Sequence, residues 1–405
     1  MDDLEKQVLD KIESMRDEIV KFHQEIIQIP SENPPAKYKE VSKFVENKMK
    51  EIGLETINKR NNVVGTIGSD EGDSLILYGH MDTVEAFKGW TKDPFGGEII
   101  DDKIYGRGSC DDKSCVTAEI FATKALIDLG IKLNGKLTVT AVIDEELGGI
   151  RGAKYLIDKG FLKGDACLLG DGPGDYPGGY FGGSIFATFI INGKQSHGMS
   201  HPYLKNYQNQ YTGINAIQKM VKILNFLTKL QEEFDKNITK FSNFPDHPSK
   251  ISHVNLAVIE GGTKISIVPD KCLLHCGIHT IPEQPISTIV KRIEDFIEDL
   301  KKEDLDLDIN LSIPIAFEPQ QIEEDSRFAE IVKNATKTVY KEERGFRLFI
   351  CATDAHHFQE AGIPTILLGA GKAECCTHTS DEFVGIEDLI NATKMFAISA
   401  LNYLR

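Results

Sequence analysis

The apolar run Leu75-Ile76-Leu77-Tyr78 passes directly into Gly79-His80-Met81-Asp82-Thr83-Val84, and this junction constrains the fold more than any other stretch of the chain. The run reads as a strand. A strand ending in Gly-His-x-Asp delivers an imidazole and a carboxylate together to a strand's C-terminal edge, which is where open α/β sheets bind their ligands. The imidazole can hold a metal ion, and the carboxylate beside it can fix the ring's tautomer.

The surrounding pattern supplies the rest of such a sheet. Apolar positions at helical spacing over Leu4 to Ile29 (Val8, Ile12, Met15, Ile19, Phe22, Ile26) predict a helical run that Pro30 ends. A second helix is expected over Tyr38 to Ile52, closed by Gly53. Strands are expected over Asn62–Ile67, Ser74–Tyr78, Gly97–Ile100, Lys136–Ile143 and Ala166–Leu169, with helices over Cys115–Leu129 and Ala153–Lys159. Strands alternating with helices predict an α/β layered fold.

The stretch Tyr176-Pro177-Gly178-Gly179-Tyr180-Phe181-Gly182-Gly183 marks a domain boundary. Beyond it come a strand (Ser184–Ile191), a helix (Asn215–Asp235), two strands (Ser252–Glu260, Lys271–Thr280), a helix (Ile286–Lys301) and a strand (Leu305–Ile313). That order is ferredoxin-like. From Phe317 the α/β pattern resumes, with a helix at Phe328–Val339, a strand at Thr365–Leu368 and a largely helical C-terminus. The expected organisation is an α/β catalytic domain from residues 1–181 and 317–405, with an α+β domain, 182–316, inserted into it. A chain of 405 residues exceeds what one core normally serves.

With 46 Lys and Arg against 62 Asp and Glu, the net charge of −16 argues against a nucleic-acid or anionic-membrane partner. The acidic start Met1-Asp2-Asp3-Leu4-Glu5 lacks the apolar stretch of a secretory signal, and no apolar run approaches membrane-spanning length. Scattered cysteines fit reduced thiols in a cytoplasmic protein.

Further polar clusters recur, one in a Gly-rich loop entering a helix and three after other strand-like runs. They are Gly106-Arg107-Gly108-Ser109-Cys110-Asp111-Asp112-Lys113, Asp144-Glu145-Glu146, Gly170-Asp171-Gly172 and Thr377-His378-Thr379-Ser380-Asp381-Glu382. Any one of them alone reads more often as a cap, a turn or a solvated helix start than as a ligand. Their recurrence beyond successive strands points to one rim of one sheet. Two histidines and three carboxylates make a hard-to-borderline donor set suited to Zn²⁺, Co²⁺ or Mn²⁺, and to two ions if one carboxylate bridges. The extra glutamate fits a general base.

The set Gly-His-x-Asp-Thr-Val, Gly-Arg-Gly-x-x-Asp-x-Lys, Asp-Glu-Glu and His-Thr-x-x-Glu, in this order, resembles the M20 metallopeptidases, most of all their deacetylase and desuccinylase branch. The resemblance covers nearly the whole chain. It implies a metal-binding α/β domain with an inserted lid and dimerisation domain, two divalent ions (Zn²⁺ first, Co²⁺ or Mn²⁺ as alternatives) and a homodimer. It implies that His80 and Asp171 hold one ion, Glu146 and His378 the other, and that Asp111 bridges. Asp82 would orient His80, and Glu145 would move the proton. Gly193-Lys194-Gln195-Ser196-His197, with Pro202 downstream, matches the motif whose histidine reaches the partner subunit's site. His197 would stabilise the oxyanion there, while His201 has the wrong spacing. The implied substrate is an N-acyl amino acid, with exopeptidase or dipeptidase action second. A catalytically inactive relative is the alternative of another class.

The sequence departs from the family at three places. Ser266-Ile267 precedes Val268-Pro269-Asp270 where Asn is usual. Gly277-Ile278-His279 and Thr353-Asp354-Ala355-His356 carry histidine where an arginine near the substrate is usual. Imidazole does not replace a bidentate guanidinium. Cys272, His275, Cys276 and His279 have the composition of a zinc knuckle, but on a strand the two histidines face one way and the two cysteines the other, so they read as ordinary strand residues.

Overall fold

A computed structural model describes residues 2–172, 174–199, 205, 212–244 and 250–405. The predicted His201 and Pro202 lie outside them. The apolar run extends into the strand Asp73–His80, so His80 is its last residue rather than the first of a loop. The strand pairs in parallel with Gly135–Val142 and with Ala166–Leu169, and Thr365–Leu367 continues the parallel set. Glu55–Lys59 and Asn62–Gly68 add antiparallel strands at one edge. Gly178–Phe181, Gln320–Gln321 and Arg347–Phe349 complete the nine-stranded sheet at the other.

Side chains alternate across this sheet and bury in two separate layers. Leu75, Leu77, Leu137, Val139 and Leu168 pack with helices that include Lys113–Asp128 and Ile386–Tyr403. Ile76, Tyr78, Val142, Cys167 and Leu169 pack on the opposite face with Ala153–Asp158 and Ala355–Glu360. The mixed α/β fold expected from the strand and helix pattern is the one observed.

The N-terminal helical run differs from expectation. It is broken into Asp3–Ser14 and Arg16–Ile27 at Met15, whose φ of −98° and ψ of 4° leave the helical path. The apolar spacing runs through the break because Met15 itself is buried in the same core as Ile12 and Ile19.

A second, four-stranded sheet is built from Gly183–Asn192, His253–Gly261, Lys271–Thr280 and Asp308–Phe317. Helices Ala216–Phe234 and Ile286–Glu303 cover one face. Cys272 and Cys276 are buried on that face, whereas His275 and His279 contact Thr188 and Ser184 on the other. The strand thus keeps the four apart, as its alternation predicts. All eight cysteines are free. Among the described residues no helix is long and apolar enough to cross a membrane.

Close packing beneath the rim depends on Gly170, which follows the strand Ala166–Leu169. A Cβ at this position would stand 2.3 Å from the Cβ of Cys115 and 2.7 Å from the carbonyl oxygen of Tyr78. Gly170→Ala is expected to destabilise the protein by about 1–3 kcal/mol through overpacking, read as a lower urea midpoint. An unchanged midpoint would contradict this packing.

Candidate metal centre

Three adjacent parallel strands end at the same rim, and their sequels carry the polar clusters. His80 closes the first strand. Gly135–Val142 is followed by Ile143 and by Asp144, whose φ of 74° is left-handed. The Asp144 carboxylate holds this turn by accepting bonds from the backbone N–H of Arg151 and from its guanidinium. The turn throws Glu145 and Glu146 over the rim. Asp171 follows Ala166–Leu169, and its carboxylate accepts a 2.7 Å bond from the Thr353 hydroxyl. His378, with φ of 58°, arrives from the loop after Thr365–Leu367.

These side chains converge around Asp111. Its Oδ1 is 3.2 Å from His80 Nε2 and its Oδ2 is 3.1 Å from His378 Nε2. His378 Nε2 is also 3.2 Å from Glu146 Oε2, and donor atoms of Asp111, Glu146 and His378 all lie within 4.8 Å of one another. Glu145 Oε2 stands 3.9 Å from His80 Nε2. Asp171 and Glu145 line the same cavity as Asp111, Glu146 and His378.

Neighbouring groups aim these donors. The Asp82 carbonyl oxygen lies 3.0 Å from His80 Nδ1, closer than the Asp82 carboxylate at 3.5 Å. That carboxylate instead accepts the Glu145 backbone N–H at 3.2 Å and the Asn33 side-chain amide at 3.0 Å. Asp82 therefore ties the histidine to the glutamate turn. Asp112, which follows Asp111, accepts the His80 backbone N–H at 3.1 Å.

The electrostatics describe a site crowded with buried negative charge. Burial raises the pKa of Glu145, that of Glu146, and that of Asp171 to about 7, and the Asp111 charge adds to the rise of the latter two. Asp111 moves the other way: the two imidazoles beside it outweigh its burial. Its contact, with that of Glu146, raises His378 to about 10. Burial opposes charge on His80, but Asp111 and Asp82 lift its pKa well above the ordinary imidazole value. Four carboxylates and two imidazoles converge in a partly buried cleft, with His378 half-exposed, and suit divalent cations because closely spaced charges need counter-charges. The donors are oxygen and imidazole nitrogen, a set that fits zinc-like ions.

The chain belongs to the peptidase family M20/M25/M40, whose model matches residues 76–402. It is therefore a metal-dependent amide-bond hydrolase. The N-formyl-4-amino-5-aminomethyl-2-methylpyrimidine deformylase of Halalkalibacterium halodurans is 27% identical over 96% of this chain and 95% of its own length. A probable succinyl-diaminopimelate desuccinylase of Staphylococcus aureus is 27% identical over 87% and 88% of the two chains. Among solved structures, an M20 family metallo-carboxypeptidase of Sulfolobus solfataricus superposes with a TM-score of 0.76 at 18% identity, covering 95% of this chain and 99% of that one.

Other predicted residues lie apart from the rim. His197 is exposed; its backbone bridges Ile267, and its Nδ1 accepts the Met199 N–H at 3.2 Å. It does not line this chain's cavity. His356 is buried, with its ring nitrogens against the carbonyl oxygens of Thr353 and Gly182, and it stacks on Phe317 at 4.8 Å. His279 lies against Ser184 and the edge of Phe186.

Sequence reasoning gave Glu382 no role. It is fully buried, pairs with Arg107 at 2.5 Å, and accepts the backbone N–H groups of Gly108, Cys110 and Asp111 at 3.2, 2.9 and 3.1 Å. Burial pushes its carboxyl up to about 7 against the pull of Arg107. The carboxylate thus fixes the loop that presents Asp111. Its signal was available in the motif ending at Glu382, but a glutamate in a polar run looks solvated. Glu382→Ala is expected to cost about 3–5 kcal/mol by stranding a buried guanidinium, and to weaken zinc binding in parallel. Chemical denaturation and zinc titration measure both; wild-type values in both would remove this role.

Proposed function

We propose that the protein is an N-acyl amine deacylase that uses two divalent ions, with zinc first and cobalt or manganese as alternatives. His80 and Asp171 would hold one ion, Glu146 and His378 the other, and Asp111 would bridge. The observation that carries this reading is the placement of Asp111 between the two imidazoles, with one oxygen turned to each. The bound ions would supply Lewis acidity toward the scissile carbonyl and lower the pKa of the attacking water.

Glu145 takes a proton from that water and returns it to the departing amine. Its position supports the role. It sits beside His80, and its backbone is pinned by Asp82. Asp82 sets the His80 ring and the Glu145 turn together. The acyl carbon–nitrogen bond breaks, and the products are a carboxylic acid and an amine.

The assignment to deacylation over exopeptidase or dipeptidase action draws support from the deformylase and desuccinylase relatives. We also propose a homodimer, with residues 182–316 as the dimerisation unit, residues 1–181 and 317–405 as the catalytic unit, and a cytoplasmic location. His197, exposed on the smaller unit, would reach the partner's site and hold the oxyanion.

Glu145→Gln is expected to retain metal but to lose at least about 10²-fold in kcat. The check is turnover of N-acyl amino acids, N-acyl amines and dipeptides with Zn²⁺, Co²⁺ or Mn²⁺ added. Near-normal turnover would remove the proton-transfer role. Mixed dimers of His197→Ala and Glu145→Gln subunits should regain activity, because one site of each mixed dimer keeps both groups. No recovery in a demonstrated mixed dimer would exclude the cross-subunit histidine.

A further inference from the structure

Beside the metal ligands lies a cavity of about 410 Å³, a size suited to a small molecule. Four phenylalanines border it, Phe186, Phe244, Phe317 and Phe349, among smaller and polar residues that include Asp354 and Lys372. They come from separate parts of the chain. Phe186 belongs to the strand Gly183–Asn192 of the smaller sheet, Phe317 closes the last strand of that sheet, and Phe349 ends a strand of the large sheet. Phe349 meets Phe244 edge to face, with centroids 6.4 Å apart and planes at 88°. It also lies tight against the loop that carries Asp171. A Cβ on Gly172, whose φ is +63°, would stand 2.9 Å from the Phe349 ring.

Charge in the same cavity is already engaged. Lys372 Nζ is 2.6 Å from Asp388. Asp175 lies near Arg344, whose guanidinium reaches its carbonyl oxygen. Among the described residues lining the cavity there is no arginine. His279 and His356, at the positions that depart from the family pattern, do not border it. His356 is committed to backbone carbonyls, and His279 faces Ser184. A substrate carboxylate would meet these four rings while Lys372, the lysine among the described lining side chains, is paired with Asp388, which is costly.

We infer that the amine side of the substrate is an uncharged aromatic group without a carboxylate, seated between Phe186, Phe244, Phe317 and Phe349. This rests on the deacylase reading for the reaction, but the pocket's preference is measurable without turnover. Aromatic rings gain from offset or edge-to-face contact with such walls. Among the described residues lining the cavity, none supplies a bidentate guanidinium for a carboxylate.

The test uses full-length, zinc-loaded Glu145→Gln protein and calorimetry with three ligands: N-benzylacetamide, N-acetylphenylalanine and N-acetylalanine. N-benzylacetamide is expected to bind at least about tenfold more tightly than either acid, the factor that one aromatic contact or one unpaired charge supplies. Phe349→Ala should lower that affinity about tenfold. Phe186→Ala, at a more exposed position that leaves the core intact, should weaken it in the same direction. Equal or tighter binding of N-acetylphenylalanine overturns the inference, as does ring binding indifferent to both substitutions. Turnover of the same compounds by wild-type protein is scored separately. Selective binding of N-benzylacetamide with no hydrolysis of any amide would sustain the aromatic pocket and reject the deacylase reading. Hydrolysis favouring the acids would do the reverse.

Discussion

Crowding of carboxylates at one end of a parallel sheet is the constraint on which the rest of this structure depends. Asp111, Glu145, Glu146 and Asp171 share a cleft with His80 and His378. Like charges so close and so buried are unfavourable unless positive charge stands between them. The fold answers with rigid supports on every side. Thr353 grips Asp171, Arg151 holds the turn before Glu145, Asp82 joins that turn to His80, and Glu382 clamps the loop of Asp111. These contacts fix the donor groups relative to one another.

Much of this was legible in the sequence because the signals are local. A strand followed at once by His-x-Asp or Asp-Glu-Glu puts those groups at the strand's end whatever the tertiary details. The α/β alternation was equally readable, since Leu75 to Tyr78 and Lys136 to Ile143 are apolar in unbroken or alternating runs. Other features depend on segments far apart in sequence. Glu382 and Arg107 are 275 residues apart, and nothing near either one signals the other. The helix break at Met15 was hidden because the apolar spacing continues across it.

The aromatic cavity was invisible for a further reason. Phe186, Phe244, Phe317 and Phe349 each sit in or beside a strand-like or loop segment, where a phenylalanine reads as core. Only the return of the chain from the smaller sheet to the larger one assembles them. The two histidines that replace expected arginines pointed in the same direction, but as an absence. The structure gives that absence a physical account: His356 stacks on Phe317 and bonds backbone, so it supports an aromatic wall rather than a charged one.

The proposed chemistry depends on Asp111 joining two metal sites into one. Zinc titration of the metal-stripped protein, followed by calorimetry, tests it most directly. Two ions bound per chain are expected, with the loss of tight binding at both positions in Asp111→Asn. A single tight ion, or two whose affinities are unchanged by Asp111→Asn, would contradict it.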